Sequence, residues 1–408
     1  MMPLRFAAFV AVLVAFAAGT VRASDEPSEM DKSFMEDARL NFTQLATKYG
    51  YPSEIHTVRT SDGYLLTVHR IPYGKACGPG KDKVPVLLQH GLFCSSDDFI
   101  IMGPKKGLGY ILADECYDVW LGNSRGNSYS RKHVSMNVKN KKFWEFSWHE
   151  MGSHDLPAMI DYITKKTGHP SIHYVGHSQG TTQFFIFGSL HPQYHSKIRS
   201  AHALSPVAFM KNLKSPALRA LTIFHKPIHT LCDLVGIHEF FPTCQFLNLI
   251  GMNICKEQYP AFQAICQSVL FLIAGSNPAL LNATMLPVII GHTPAGASTR
   301  QLVHYAQGIQ KDGFRMYDHG ALKNIVKYGS IEPPSYKLDK INIPIAFYFS
   351  DNDWLADVKD VDRLADILPN LIGKFRIHHK LFGHLDYLWA VDVKPLVYDN
   401  LIKVLRRY

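Results

Sequence analysis

Ser178 lies in a stretch whose residue types and order are suited to holding a serine hydroxyl ready for nucleophilic attack. Residues 172–175 have the β-branched and aromatic pattern of a short strand, and an apolar helical pattern covers 181–187. Between them stands Gly176-His-Ser-Gln-Gly180. Strand, tight turn and helix in this order are typical of a nucleophile elbow, in which flanking glycines leave room for a strained turn. We therefore predict that Ser178 is a nucleophile and that Gly176 and Gly180 shape its turn.

A serine nucleophile needs a histidine base and a carboxylate that orients this base. In a parallel sheet with such an elbow, the acid and then the histidine follow later strands. Three aspartates follow the predicted strand 343–350. We choose Asp353, because it lies just past the strand end and before a predicted helix entry at 354–356. Asp351 and Asp357 have structural interpretations, as a turn residue and a helix cap.

The chain has 21 histidines, so a single one carries little weight. His384 stands out because it lies in a glycine-containing turn, between a predicted strand at 375–378 and a predicted helix at 387–389. His378 and His379 lie in or at the end of that strand and are predicted to be structural. We therefore predict that His384 is the base.

Ester or amide chemistry at a serine also needs two backbone N–H donors for the oxyanion. A helix start supplies such groups and the positive end of a dipole, and Gln179 directly follows Ser178. The second donor is expected in the loop after an early strand, here His90-Gly-Leu92 after the predicted strand 84–89. We predict Leu92 and Gln179 as the donors, although His-Gly after a strand is also a common turn.

The elements that must position these residues are predicted from periodicity. Residues 54–70 alternate as a hairpin with its turn at 61–63, and Asp155 is a candidate N-cap for a helix that runs to about residue 166. Alternating strands and helices from about 84 to 205 indicate a mostly parallel α/β sheet. The predicted buried strands are 84–89, 117–121, 172–175, 343–350 and 375–378.

Residues 206–315 break this alternation with apolar runs, four clustered cysteines and many prolines. We predict a mainly helical cap inserted into the sheet domain, whose two parts would be 24–205 and 316–408.

The first 23 residues have the pattern of a secretory signal peptide. A basic start at 1–5 precedes an apolar run at 6–19 and small residues at 21–23. This run is too short for a comfortable membrane span, and no later stretch is long enough. We expect a secreted or lysosomal protein that begins near Ser24, with glycosylation sequons at Asn41 and Asn282.

Composition argues against nucleic-acid binding. The net charge is +9, but the 43 Lys and Arg residues are scattered, and neither a basic block nor zinc-type cysteine spacing is present. The charge is compatible with a mild attraction to anionic lipid surfaces or with an ordinary basic, solvated surface.

With these residues in place, the chain resembles the animal acid lipases, the group of gastric and lysosomal acid lipases within the α/β-hydrolases. The resemblance covers nearly the whole mature chain. It rests on motifs at 51–54, 62–64, 113–114, 117–127, 143–150, 155–158, 174–180, 294–296, 353–357 and 384–386. It implies an α/β-hydrolase fold with an inserted cap and a mobile lid. It also implies Ser178, Asp353 and His384 as nucleophile, acid and base, with oxyanion donors at Leu92 and Gln179. No metal or organic cofactor is expected.

The seven cysteines are an odd number, so at least one thiol is free or pairs between chains. Relatives in the resembled family carry a disulfide between two cap cysteines. Cys255 and Cys266 fit that pair best, with a slightly longer spacing than expected, and Cys232 with Cys244 is the competing pair.

The chain departs from the family pattern at Phe99, at 102–107 and at 115–116. These positions are expected near the wall that holds the acyl chain, where they would affect chain-length preference and leave the triad intact.

We therefore expect a lipase that cleaves esters of long-chain fatty acids, triacylglycerols or cholesteryl esters, at an oil–water, lipoprotein or membrane surface. The alternatives are an esterase for short or soluble esters and a lipase-fold protein that binds lipid without catalysis.

Overall fold

The computed structural model describes residues 29–80, 82–220, 222, 236–240, 251–275 and 277–408, with the backbone alone at 29–31. The predicted signal peptide, 1–23, lies outside the described residues. So do Cys232 and Cys244.

Within the described residues, nine strands form one sheet. Its path is β1-β2-β4-β3-β6-β7-β10-β11, and β5 pairs with β2. The strands are β1 (Glu54–Arg59), β2 (Tyr64–Ile71), β3 (Pro85–Gln89), β4 (Asp118–Gly122), β5 (Lys132–His133), β6 (Ile172–His177), β7 (Ile198–Leu204), β10 (Ile345–Phe349) and β11 (Leu371–Arg376). A separate antiparallel pair is formed by β8 (Glu239–Phe240) and β9 (Ala297–Ser298). Along the sheet, each neighbouring pair from β4 to β11 is parallel. Strand β2 pairs antiparallel with its three partners, β1, β4 and β5.

The central strands are buried on both faces, as expected for a parallel sheet covered by helices. In β3, Leu87 packs into the hydrophobic cluster on one face, and Val86 and Leu88 pack into the cluster on the other. This alternation follows from the two-residue period of a strand. The predicted hairpin is confirmed, with β1 and β2 joined at 60–63.

The described α-helices cover both faces of the sheet, and four of them lie in the segment between β7 and β10. They are α1 (Glu29–Asp37), α2 (Phe42–Lys48), α3 (Leu108–Asp114), α4 (Trp148–Glu150), α5 (Leu156–Thr167), α6 (Gln179–Leu190), α7 (Pro260–Ala274), α8 (Leu286–His292), α9 (Thr299–Gln310), α10 (Ala321–Tyr328), α11 (Val358–Ile367), α12 (Asp386–Trp389) and α13 (Asp399–Leu405).

The predicted N-cap at Asp155 is wrong. Asp155 has helical dihedrals and makes no capping bond, because the helical path begins earlier, at Ser147, which forms a capping box with Glu150. The Asp155 carboxylate instead accepts a hydrogen bond of 2.8 Å from Nε of the buried Arg125. A buried guanidinium needs a carboxylate partner, and this demand outweighs local capping.

Two boundaries near the C-terminus also differ from the prediction. Residues 354–356 form a bend, and α11 begins only at Val358, with Asp357 as its N-cap. The structural interpretation of Asp357 is therefore confirmed. Strand β11 ends at Arg376, so His378 and His379 follow it. Asp351 pairs on the surface with Arg376.

Two disulfides are present among the described cysteines. The predicted Cys255–Cys266 pair joins the middle of α7 to the segment before that helix. The second, Cys77–Cys116, was not predicted from the sequence. The Cys94 thiol is buried and outside both disulfides.

Candidate active site

Ser178 occupies the turn between β6 and α6 in a strained conformation, with φ at +52°. The neighbouring glycines leave no room for a side chain. A Cβ on Gly180 would lie 2.3 Å from the Gln89 carbonyl oxygen, and one on Gly176 would lie 2.8 Å from the Gly180 carbonyl carbon. This geometry is that of a nucleophile elbow.

The structure brings Ser178, His384 and Asp353 into one chain of hydrogen bonds. Ser178 Oγ lies 2.7 Å from His384 Nε2. His384 Nδ1 lies 2.9 Å from Asp353 Oδ1 and 3.0 Å from Oδ2. The serine follows β6, the aspartate follows β10 and the histidine follows β11. Because parallel strands end at the same edge of the sheet, residues distant in sequence meet there.

The surroundings keep the Asp353 carboxylate charged. Burial alone would raise its pKa, but the neighbouring His384 and the hydrogen bonds that Asp353 accepts lower the pKa below its ordinary value. The Leu355 and Ala356 N–H groups donate to Oδ1, each at 2.9 Å. An ionised, fixed carboxylate can hold the proton of the imidazole on Nδ1, which leaves Nε2 free to accept the serine proton.

His177 contacts the His384 loop from the other side, a contact that the sequence did not reveal. Burial lowers the pKa of His177 to about 3, so this imidazole is neutral. Its Nε2 lies 2.9 Å from the His384 carbonyl oxygen, which fixes the proton on Nε2 as the donor. His177 therefore anchors the main chain of the loop that carries His384.

The loop after β3 lies directly against the serine. A Cβ on Gly91 would be 3.1 Å from the Ser178 Cβ. His90 holds this loop, since its Nδ1 lies 2.8 Å from the Gly91 carbonyl oxygen and its Nε2 accepts from the Ser124 N–H at 3.0 Å. The structure thus places Leu92 in the loop beside Ser178.

The N–H groups of Leu92 and Gln179 donate to no acceptor within the residues that the structure describes. Two such amides beside a serine can receive an oxyanion.

Three segments between β7 and β10 contact the loops of this site. The Ala274 carbonyl, at the end of α7, accepts from the His384 N–H at 3.2 Å. Gln301 in α9 accepts a 2.9 Å hydrogen bond from the Gln179 side chain. The Ala295 N–H donates to the Phe93 carbonyl at 2.6 Å.

Two family descriptions match the chain. Residues 42–103 match the partial α/β-hydrolase lipase region, and residues 84–226 match the α/β-hydrolase fold. Bovine gastric triacylglycerol lipase is 40% identical over 90% of this chain and 92% of its own length. Human lysosomal acid lipase/cholesteryl ester hydrolase is 36% identical over the full length of both chains. The chain belongs to the animal acid lipase family.

This acid lipase family member is an ester hydrolase of the lipase class, and its fold is that of the α/β-hydrolases. A crystal structure of a putative lipase from Sulfolobus solfataricus shares the fold, with a TM-score of 0.58 and 14% identity over 87% of this chain and 94% of its own.

Two features are absent from the described residues, a membrane-spanning helix and a cluster of metal ligands. No helix among them is both long and apolar enough to cross a bilayer. Nor do three or more His, Cys, Asp or Glu side chains cluster there as metal ligands would.

Proposed function

We propose that this lipase hydrolyses long-chain fatty acid esters, triacylglycerols or cholesteryl esters, with Ser178 as nucleophile, His384 as base and Asp353 as orienting acid. The supporting observation is the continuous path from Ser178 Oγ through the imidazole to the Asp353 carboxylate, with steps of 2.7 and 2.9 Å. Relatives over nearly the whole chain are named as lipases of these two substrate classes.

The proposed reaction has two halves. His384 Nε2 takes the proton from Ser178 as Oγ attacks the ester carbonyl, and the Leu92 and Gln179 amides bind the tetrahedral oxyanion. The imidazolium returns this proton to the leaving alcohol, which leaves an acyl-serine. His384 then activates a water molecule that releases the fatty acid and restores the serine. No step uses a metal or an organic cofactor.

The substrate is proposed to arrive from a lipid surface through the inserted segment 206–315, acting as a cap. Helix α7 contains no charged residue, and Ile265, Val269 and Leu272 are 56%, 54% and 53% exposed. The spacing of these residues places them on one helix face. An exposed apolar stripe is typical of a surface that binds lipid or protein. The end of the same helix contacts the His384 loop.

We also propose passage through the secretory pathway, to the lysosome or the outside of the cell. The two disulfides support an oxidising compartment. Glycosylation at Asn41 and Asn282 stays a prediction. Asn41 is exposed at the start of α2, and Asn282 is half-buried at the start of a short turn before α8.

Replacing Ser178 by alanine tests the catalytic assignment. We expect Ser178→Ala to lose at least about a thousandfold in kcat/KM for an ester substrate, because nothing else supplies the acyl-enzyme path. His384→Ala should match it, whereas His378→Ala, a neighbouring exposed histidine, should keep wild-type activity. Circular dichroism would verify folding of each variant. A folded Ser178→Ala protein with more than a few thousandths of wild-type turnover would contradict the assignment.

A substrate panel tests the lipid class. Rates on dispersed tributyrin, triolein and cholesteryl oleate across pH 4 to 8 separate a long-chain lipase from an esterase, since only the former acts on the last two. A fluorophosphonate probe that fails to label Ser178 would indicate a non-catalytic lipid-binding protein.

A further inference from the structure

A second serine, which is fully buried, touches both the acid and the base of the proposed triad. Ser205 Oγ lies 2.6 Å from Asp353 Oδ2 and 2.7 Å from His384 Nδ1. Its side chain has no exposed surface. No local sequence pattern marks this residue as functional.

The strand order explains how Ser205 reaches this place. It directly follows β7, which lies between β6, the strand before the nucleophile, and β10, the strand before the acid. The Ser178 N–H donates to the Leu204 carbonyl at 3.1 Å, and the Ser205 N–H donates to the Tyr348 carbonyl at 2.9 Å. The backbone of Ser205 is thereby fixed between the two neighbouring strands.

The backbone of Ser205 is strained. Its φ is +55°, in the left-handed region that non-glycine residues seldom adopt. Strain of this kind persists only where the surrounding structure over-determines the conformation, and such residues cluster at functional sites.

The direction of each hydrogen bond follows from the available protons. A carboxylate can only accept, so the single hydroxyl proton of Ser205 goes to Asp353 Oδ2. The lone pairs of Ser205 Oγ then face the N–H on His384 Nδ1. Oδ1 accepts from two backbone amides, whereas Ser205 and the shared imidazole N–H are the donors to Oδ2.

We propose that Ser205 is a positioning residue, which holds the Asp353 carboxylate ionised and aimed at His384 so that the triad stays active toward lower pH. The proposal rests on the proposed function, because it gives Ser205 a role only within that triad.

Among the described residues, His177, Asp386 and Tyr387 also interact electrostatically with Asp353. Burial keeps His177 neutral, raises the pKa of Asp386 to about 6 and holds the pKa of Tyr387 well above its ordinary value. Asp386 is therefore mostly uncharged in acid, and these groups supply no positive charge that would replace the Ser205 donor at low pH.

The pH profile of kcat/KM tests the role, with a soluble ester such as p-nitrophenyl butyrate. Ser205→Ala removes a charge-assisted hydrogen bond to the carboxylate, so protonation of Asp353 becomes easier. The same variant also removes an acceptor for the imidazole N–H, which would shift the acid limb in the opposite direction. This second effect is smaller, because the N–H still has both Asp353 oxygens as acceptors. We expect the acid limb to move up by about one pH unit, with activity above it within a few-fold of wild type.

Two further variants make the result specific. Ser205→Gly also lacks the hydroxyl but tolerates positive φ, so it should show the same shift even if the alanine variant folds poorly. Ser200→Ala is the matched control: Ser200 is a buried serine in β7 that contacts His173 and His202 at 2.8 and 2.9 Å, and its loss should leave the acid limb unchanged.

The outcomes separate the two proposals. An acid limb unchanged in both Ser205 variants overturns the role of Ser205, and so does an equal loss of activity at every pH. Retained activity in Ser178→Ala would instead overturn the triad itself, independently of any result at Ser205.

Discussion

The carboxyl edge of the sheet and helix α7 contact each other at the His384 loop, yet their side chains differ in burial and in hydrogen bonding. At the sheet edge, His384, Asp353 and Ser205 are buried and hydrogen-bonded to one another. On α7, the apolar side chains of Ile265, Val269 and Leu272 remain about half exposed. In the folded protein, the polar side chains of the sheet edge are therefore buried and hydrogen-bonded, whereas the apolar side chains of α7 remain in contact with water.

This contrast separates the requirements of bond cleavage from those of substrate capture. Proton transfer through an imidazole needs fixed groups in a dry site, because distances of a few tenths of an ångström and a low dielectric decide its rate. Binding to an oil surface needs apolar area that is still open to water in the free protein. Substitutions in the two regions should therefore affect different substrates.

The largest expected effect is at the sheet edge. Asp353→Asn places an amide beside His384 Nδ1, which favours the wrong imidazole tautomer and cannot stabilise the imidazolium. We expect kcat to fall by about 10⁴ on soluble and emulsified esters alike, because the chemical step is common to both. Asp351→Asn is the matched control, since Asp351 lies on the same loop as Asp353 and forms an exposed ion pair with Arg376. A loss confined to emulsified esters would contradict the contrast.

The next effect should be on α7 and selective for substrate form. Replacing Val269 and Leu272 together by serine removes two apolar anchors from the exposed stripe. We expect the rate on emulsified triolein to fall by roughly ten- to a hundredfold, from the lost transfer energy of two side chains. Hydrolysis of dissolved p-nitrophenyl butyrate should be unchanged.

The control for the α7 variant is the double serine replacement of Leu322 and Val326 on α10, which are 81% and 89% exposed. If that change lowers triolein hydrolysis as much as the α7 change does, any exposed apolar area contributes to lipid binding, and α7 is not the specific lipid-binding surface.

The same contrast explains which residues could be predicted from sequence. Ser178, Asp353 and His384 each lie in a local pattern, a turn that follows a strand, so each could be found one at a time. Ser205 follows a strand too, but its contact with Asp353 depends on β7 lying between β6 and β10. That order is a property of the assembled sheet.

The wrong N-cap prediction and the disulfide that was not predicted have a related cause. Asp155 had the local pattern of an N-cap, but the buried charge of Arg125, thirty positions away, recruits its carboxylate. The Cys77–Cys116 bridge joins cysteines 39 positions apart, and its sequence spacing carries no signature. Long-range pairing decides both cases.

A group of buried acids lies where the sheet domain meets the segment between β7 and β10, close to the loop that follows β3. Asp97 pairs with His292 at 2.8 Å, and Asp98 accepts from the Thr293 hydroxyl at 3.1 Å. Burial, together with the charge of Asp97, raises the pKa of Asp98 to about 6, although a hydrogen bond from the Ser95 N–H opposes the shift. Burial would lower the pKa of His292, but its bond to Asp97 raises the pKa above the ordinary value.

These pKa shifts predict that the contact around Asp97 and Asp98 stabilises the folded state more at low pH than at neutral pH. A carboxyl whose pKa is raised in the folded state stabilises it at low pH, and this contribution is lost as pH rises through about 6. Asp98→Asn removes the cost of ionisation, so it should be more stable than wild type by about 2 kcal/mol at pH 7 and nearly equal to it at pH 4. Thermal melts across this range would measure the difference. Asp97→Asn should do the reverse, because it strips His292 of its partner and destabilises the fold mainly in acid. If both variants shifted the melting temperature equally at every pH, the two acids would act through packing alone, and the contact would not sense pH.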